Sequence, residues 1–173
     1  YLEVKDRHQD YLLFYRMGDF YELFFEDAVL ASSVLGIALT KRGKLNDKDI
    51  PMCGVPAHAS QTYLSRLIDQ GHKVAVAEQL EDKDSSPKNK KIFTRDVVKI
   101  ITPGTILDDS LLDSKFNNHL ASISFVKGEI SISWTDMSTG SIKLQTITGG
   151  NSINDVYELI NKIEPEEIIL SDQ

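Results

Sequence analysis

Hydrophobic and polar positions alternate in short blocks along the first hundred residues. Aromatic and β-branched runs typical of strands are separated by amphipathic stretches typical of helices. We predict strands at 11–17, 37–41, 73–80 and 92–101, and helices at 1–8, 20–35 and 59–70. Gly36 and Gly71 directly follow two of these helices and predict where they end. Strands alternating with helices indicate an α/β fold, with a mixed sheet flanked by helices.

Beyond the turn at Pro103-Gly104, the pattern changes to three evenly spaced strand-like runs, a helix and one more strand. The runs are 119–126, 129–136 and 141–148, the helix is 151–163, and the last strand is 167–170. The apolar residues expected on one face of this helix are Ile153, Val156, Ile160 and Ile163. This order is typical of the beginning of a ribonuclease-H-like α/β sheet. The domains predicted from these patterns are a first domain at 1–107, a linker at 108–118, and a partial, truncated ribonuclease-H-like domain at 119–173.

Charge is unevenly distributed along the chain. Its 173 residues carry a net charge of −7, which argues against a phosphate-binding surface. Through residue 107, however, 15 basic residues balance 15 acidic ones, and residues 108–173 contain 4 basic and 11 acidic residues. Lys41–Lys44 and Lys88–Lys91 are local basic segments within the neutral part. The first domain is therefore compatible with a nucleic-acid partner.

Several other classes of protein are excluded by composition and motifs. The single cysteine, Cys53, excludes an intrachain disulfide framework and a cysteine-rich zinc site, so we expect a small buried thiol. No apolar run approaches the ~18 residues of a membrane span. The sequence lacks the short patterns of P-loops, dinucleotide-binding folds, zinc proteases and serine hydrolases. We expect no catalytic residue, metal or cofactor in this stretch.

Two alternative functions use the acidic second part of the chain. Asp136, Glu164, Glu166 and Glu167 are candidate Mg²⁺ ligands of a metal-dependent nuclease of ribonuclease-H-like type. The same acidic part could instead act as a protein-interaction module that binds a basic partner. A nuclease predicts hydrolysis of DNA with Mg²⁺, whereas an interaction module does not.

Residues 14–25, with the sequence FYRMGDFYELFF, allow two interpretations. In the first, Asp19 is a helix N-cap, Glu22 is its capping-box partner, and Phe20 belongs to the apolar face of the following helix. In the second, the tight bend at Gly18-Asp19 lets Phe20 project from the surface, with the Glu22 carboxylate two residues away. Periodicity favours the first interpretation, and the second would place an aromatic wedge beside a hydrogen-bonding group.

Five ordered motifs within the first 105 residues resemble the amino-terminal mismatch-recognition segment of the bacterial MutS family. They are FYRMGDFYELF at 14–24, LTKRG at 39–43, IPMCGVPAH at 50–58, AEQL at 77–80 and VVKIITPGT at 97–105. The part after Thr105 resembles the start of the connector domain of that family. The resemblance therefore implies a mismatch-recognition domain followed by the first part of a ribonuclease-H-like connector.

This resemblance also implies roles for individual residues. Phe20 would enter the minor groove and stack on a mispaired or unpaired base, and Glu22 would hydrogen-bond that base. Lys41, Arg42 and Gly43 match a loop near the DNA backbone, and Met52 matches a loop that reaches the groove beside the wedge. The DNA-binding residues predicted from the sequence are thus Phe20, Glu22, Lys41, Arg42, Gly43 and Met52.

The family implies further properties of a longer protein. Its members are homodimeric ATPases that bind mismatched double-stranded DNA and signal to a MutL-like partner, partly through the connector. ATP and Mg²⁺ would bind to parts outside this stretch, for which we expect neither ATP hydrolysis nor tight DNA binding. A cytoplasmic, nucleoid-associated location and no membrane partner are the corresponding expectations.

Overall fold

A computed structural model of the chain describes residues 1–80, 94–106, 118–148 and 152–170. These residues form two units, Tyr1–Ile101 and Thr102–Gln173. Each unit combines one sheet with helices, so the predicted α/β class is confirmed. The predicted linker at 108–118 lies outside the described residues except for Asn118, and so does the basic segment Lys88–Lys91.

The first unit contains a six-stranded mixed sheet. Its strands are β1 (Leu12–Met17), β2 (Phe20–Phe24), β3 (Thr40–Leu45), β4 (Lys48–Pro56), β5 (Val74–Leu80) and β6 (Thr94–Ile101), and its helices are α1 (Leu2–Asp6), α2 (Phe25–Leu35) and α3 (Ser60–Asp69). The strand order is β3-β4-β2-β1-β5-β6. β1 and β5 are parallel and every other neighbouring pair is antiparallel.

Two helices cover one face of this sheet, which we call the inner face. α2 packs against β2 and β4, and α3 packs against α2, β4 and β5. The inner face supplies most of the buried core: Leu12, Phe14, Tyr21, Leu23, Cys53, Val55, Val74 and Val76. The expectation of a buried Cys53 is confirmed, and burial raises the pKa of its thiol to about 11.

The other face of the sheet, the outer face, is covered differently. Over β1 and β5, Val4 of α1 packs with Leu13, Ala75 and Ala77. Toward the Gly18-Asp19 turn the outer face is open, and the side chain of Phe20 is 47% exposed.

The predicted helix at 20–35 is wrong in its first five residues. Phe20–Phe24 form β2, which pairs with β1 on one side and β4 on the other. α2 begins only at Phe25, its N-cap is Phe24, and no side chain caps it. Asp19 and Glu22 therefore do not form a capping box, because strand pairing on both sides outweighs the local helical spacing. Gly36 ends α2 in the left-handed conformation with φ of 66°, as predicted.

A β-hairpin replaces the short strand predicted at 37–41. β3 and β4 pair antiparallel around a two-residue loop, Asn46-Asp47, in which both residues have positive φ. β4 was not predicted, because its glycine and two prolines interrupt the alternation. The other strands and helices of this unit lie within one to two residues of their predicted ranges.

The second unit follows its predicted order closely. β7 (His119–Val126), β8 (Glu129–Asp136), β9 (Ser141–Ile147), α4 (Ser152–Ile163) and β10 (Glu167–Leu170) form a sheet of order β10-β7-β8-β9 with one helix. β10 runs parallel to β7, and the other pairs are antiparallel. Val156 and Ile160 of α4 pack on the sheet as predicted and Ile163 is buried, whereas Ile153 is 57% exposed and does not belong to the buried face.

None of the described helices is long and apolar enough to cross a membrane.

Candidate nucleic-acid interface

The side chains of β2 point alternately to the two faces of the sheet. Phe20, Glu22 and Phe24 point to the outer face, while Tyr21 and Leu23 are buried on the inner face. Phe20 therefore projects from the surface, as the second interpretation expected, and does not lie on the apolar face of a helix. Phe20 and Glu22 lie side by side on one surface, two residues apart along an extended strand.

Phe20 is held at the surface by a tight turn and by the end of β4. Gly18 has φ of 62° in the two-residue loop that joins β1 to β2. The amide of Ala57 donates a 2.8 Å hydrogen bond to the carbonyl oxygen of Asp19, which fixes the far side of the same turn. The Phe20 ring borders an open cavity of about 340 Å³ whose other lining residues are Arg16, Asp19, Pro56, Ala57 and His58.

Glu22 occupies a more enclosed position between β1 and β4. Its backbone lies opposite Tyr15 and Gly54, and its side chain is only 12% exposed. Both carboxylate oxygens accept hydrogen bonds from Nη1 of Arg42, whose side chain is 49% exposed. The structure thus brings together two predicted site residues as an ion pair on the outer face.

Gly54 lies between Phe20 and Glu22 and was missed by sequence reasoning. A β-carbon at this position would lie 3.4 Å from the Tyr21 carbonyl oxygen, 3.7 Å from Glu22 Cγ and 4.0 Å from Phe20 Cδ1. A larger side chain would therefore fill the space between the two functional groups. A glycine inside a strand often marks a close approach of another group, but this signal could not be used because β4 was not predicted.

The basic residues Lys41 and Arg42 of β3 point to opposite faces because consecutive strand residues alternate, and a β-bulge begins at Arg42. Arg42 and Gly43 together oppose Ile50 where the register shifts between Lys41 and Lys44, and Gly43 has φ of 75°. Arg42 reaches the outer face, whereas Lys41 pairs with Asp49 at 2.6 Å, on the opposite face of the hairpin. The structure therefore does not bring Lys41 together with Phe20 and Glu22.

Met52 lies on the outer face of β4. Its backbone pairs with Phe24 on one side and Thr40 on the other, and its side chain is half-buried. Alternation along β4 places Lys48 on the same face, fully at the surface of the hairpin. Lys48 is a second residue that sequence reasoning missed, because its orientation depends on the unpredicted β4.

Behind Phe20, the inner face is reinforced by polar contacts. The hydroxyl of Tyr21 donates a short hydrogen bond to Glu78 of β5, and burial together with this bond raises the pKa of the tyrosine. The Arg16 guanidinium lies 5.1 Å from the centre of the Tyr21 ring. On the outer face, Arg95 lies 5.5 Å from the centre of the Tyr15 ring and donates a 2.7 Å hydrogen bond to the Arg16 carbonyl. These contacts support the strand that carries Phe20.

Two of the four acidic residues considered as Mg²⁺ ligands, Asp136 and Glu167, have structural partners instead. Asp136 is buried, and its carboxylate accepts hydrogen bonds from the Ser138 amide at 3.0 Å, from the Ser138 hydroxyl at 2.6 Å and from Thr139 at 3.0 Å. Glu167 accepts bonds from the Thr102 hydroxyl and from a backbone amide. Within the described ranges, no three His, Cys, Asp or Glu residues are placed to hold a metal ion.

Known proteins resemble the chain along its whole length. Residues 1–110 match the family model for MutS domain I. The DNA mismatch repair protein MutS of Wolbachia pipientis wMel is 50% identical over 175 residues, covering 100% of this chain and 20% of that protein. Its counterparts of the same name from Dinoroseobacter shibae and Rhodopseudomonas palustris HaA2 are 47% and 49% identical, and each match covers 99% of this chain and 19% of the relative.

These matches extend well past the five sequence motifs that first suggested the resemblance. The chain spans about a fifth of the length of these relatives. A family model over more than half of the chain, together with this identity, is decisive. The chain belongs to the MutS family, and residues 1–110 are its MutS domain I.

Proposed function

We propose that this chain recognises mismatched or unpaired bases in double-stranded DNA, as part of a mismatch repair protein. The observation that carries the proposal is the position of Phe20. An aromatic side chain that is 47% exposed, at the end of a strand paired on both sides and two residues from a carboxylate, has the form of a wedge.

The proposed wedge senses how easily the duplex deforms. Inserting an apolar side chain between base pairs costs a few kcal/mol of unstacking per step, and a defective pair reduces that cost. Stacking of one base on an aromatic ring returns about 1–3 kcal/mol and does not depend on which base it is. Phe20 would therefore discriminate between a mismatch and a matched duplex without reading a particular sequence.

Glu22 is proposed to add a hydrogen bond to the base on which Phe20 stacks. As a carboxylate it can accept from a ring N–H of thymine or guanine, and to bond N7 of a purine it must carry a proton. Correctly paired bases leave the carboxylate without such a partner, close to negatively charged phosphates. Glu22 would thus weaken binding to matched DNA more than binding to a mismatch.

The surrounding hairpin is proposed to position the wedge on the DNA backbone. Arg42 and Gly43 would contact phosphates, and Lys41 would do so from the opposite side of the hairpin. Met52 would supply an apolar contact within the groove. None of these contacts selects a base, so they contribute affinity and orientation.

Other parts of a full-length protein are proposed to complete the function. The relatives are about five times longer than this chain, and a single module with few phosphate contacts binds DNA weakly. We propose that the full-length protein is a cytoplasmic, nucleoid-associated homodimer, that ATP and Mg²⁺ bind outside this chain, and that a MutL-like protein contacts the second unit.

Replacing Phe20 in the full-length protein tests the proposed wedge. Phe20→Ala removes the ring and with it about 1–3 kcal/mol of base stacking. This loss of binding free energy corresponds to about 5- to 150-fold weaker binding to mismatched duplex. Fluorescence anisotropy titrations with mismatched and matched duplexes of one length, at one salt concentration, measure the preference.

Phe125→Ala is the matched control, because Phe125 is 49% exposed in the second unit. We expect Phe20→Ala to abolish the preference for the mismatch and Phe125→Ala to keep it. A Phe20→Ala protein that still prefers the mismatch by the wild-type factor would contradict the proposal.

A further inference from the structure

The ion pair between Glu22 and Arg42 joins two residues with different proposed DNA partners. Arg42 Nη1 donates to both carboxylate oxygens, and only 12% of the Glu22 side chain is exposed. A base edge therefore cannot reach the carboxylate freely while the guanidinium lies over it. A base that is to hydrogen-bond Glu22 must therefore displace the Arg42 guanidinium from the carboxylate.

We propose that Arg42 is a positioning residue that gates Glu22: the ion pair stays closed on matched duplex and opens at a mismatch. This inference rests on the proposed function. It assigns Arg42 an effect on discrimination between duplexes, in addition to its proposed contact with phosphate.

Arg42 is the partner of this pair that can move. All six residues of β3 are exposed, β3 is an edge strand of the sheet, and Arg42 lies in the β-bulge. Glu22, by contrast, lies on a strand that is hydrogen-bonded on both sides. Opening the pair therefore requires a rotation of the Arg42 side chain and no displacement of β2.

DNA offers each member of the pair an alternative partner. The Arg42 guanidinium can donate to a backbone phosphate, which its planar arrangement of N–H groups suits well. The Glu22 carboxylate can accept from a base only where mispairing exposes a ring N–H. The carboxylate engages only Nη1 of Arg42, so the other N–H groups of the guanidinium can donate to a phosphate on either duplex. At a mismatch Glu22 exchanges Arg42 for the base, and on matched duplex the pair stays closed because Glu22 has nothing to accept from.

This gate predicts an effect that a simple phosphate contact does not produce. Without Arg42, the carboxylate is left unneutralised against matched DNA, which weakens that complex. At a mismatch the base satisfies Glu22, and no ion pair has to be broken. A partly exposed ion pair of this kind corresponds to about a two- to fivefold effect, so Arg42→Ala should raise the ratio of mismatched to matched affinity by about threefold, at lower affinity for both duplexes.

A double-mutant cycle in the full-length protein tests the gate. Wild type, Arg42→Ala, Glu22→Gln and the double variant are titrated with matched and mismatched duplex at one salt concentration. We expect Arg42→Ala to raise the ratio of mismatched to matched affinity in the wild-type background. In the Glu22→Gln background we expect Arg42→Ala to leave this ratio unchanged. Lys41→Ala is the control, because Lys41 pairs with Asp49 and should lower both affinities by the same factor.

The outcomes separate this inference from the proposed function. If Arg42→Ala lowers both affinities equally in both backgrounds, Arg42 is only a phosphate contact and the gate is wrong. The gate would also be wrong if Arg42→Ala lowered the ratio of mismatched to matched affinity in the protein that keeps Glu22, because Arg42 would then assist Glu22 at the mismatch. In either case the proposed function stands if the wild-type preference depends on Phe20, and it fails together with the gate if wild type shows no preference.

Discussion

The buried carboxylate of Asp27 connects α2 to α1 and β1, and its replacement gives a quantitative prediction. Asp27 of α2 is 8% exposed. Its carboxylate accepts hydrogen bonds from the Leu13 amide of β1 at 3.0 Å, from Lys5 Nζ of α1 at 2.9 Å and from the Tyr1 hydroxyl at 3.3 Å. We expect Asp27→Asn to destabilise the first unit, because one residue connects two helices and the central strand.

The size of the effect follows from burial. Removing one partner of a buried ion pair costs about 3–5 kcal/mol. The lower end applies here, because Lys5 Nζ keeps the Tyr11 carbonyl at 2.7 Å and the Gln9 carbonyl at 3.2 Å, and an asparagine oxygen can still accept from Leu13. We therefore expect the free energy of unfolding to fall by about 3 kcal/mol.

Urea unfolding followed by circular dichroism measures the loss, and hydrogen exchange at the Leu13 amide locates it. Asp96→Asn is the control: its pair with Arg7 is 2.8 Å long, close to the 2.9 Å between Asp27 and Lys5, but the two side chains are 41% and 56% exposed. We expect Asp96→Asn to have a much smaller effect. A loss below about 1 kcal/mol for Asp27→Asn, with unchanged exchange at Leu13, would refute the reasoning from burial.

Two further predictions concern the second unit and can both be followed by the fluorescence of Trp134. Gly104→Ala should lower its unfolding temperature, because the added β-carbon would lie 2.7 Å from Glu167 Cβ and 2.9 Å from Leu120 Cδ1; an unchanged temperature would show that this region rearranges freely. The hydrogen bonds from Ser138 lower the pKa of Asp136 in the folded protein. The ionised Asp136 carboxylate therefore stabilises the folded state above the unfolded pKa of about 3.9, and this stabilisation is lost as the pH falls through the lower folded pKa. Asp136→Asn should therefore be less stable than wild type at pH 7 and approach it in acid, and a constant difference from pH 7 to pH 3 would contradict this.

Local sequence patterns predicted strands correctly where the alternation within each strand and the turn between them agree. β7 and β8 have the predicted bounds because alternation and the Lys127-Gly128 turn agree. β2 could not be predicted in this way, since the apolar residues from Phe20 onward favour helical spacing. Its strand state comes from pairing with residues 52–56, about thirty positions later.

The candidate site was predicted from its motifs, but its arrangement was not. Phe20 and Glu22 were named together, and the structure shows them on one face. Lys41 and Arg42 point to opposite faces because consecutive strand residues alternate, but the predicted strand ended at residue 41 and its partner β4 was not predicted. The Asn46-Asp47 loop, by contrast, carried a readable hairpin signal, because these residue types tolerate positive φ.

The pairing of β2 on both sides has a mechanical consequence for the proposed recognition. The backbone of Phe20 is fixed by β1 and β4, so only rotation about its side-chain bonds remains available. Any displacement needed for insertion must then come from the nucleic acid. The selectivity of such a rigid module would be set by the compliance of each base-pair step, and flexible pyrimidine–purine steps would be its most frequent false positives.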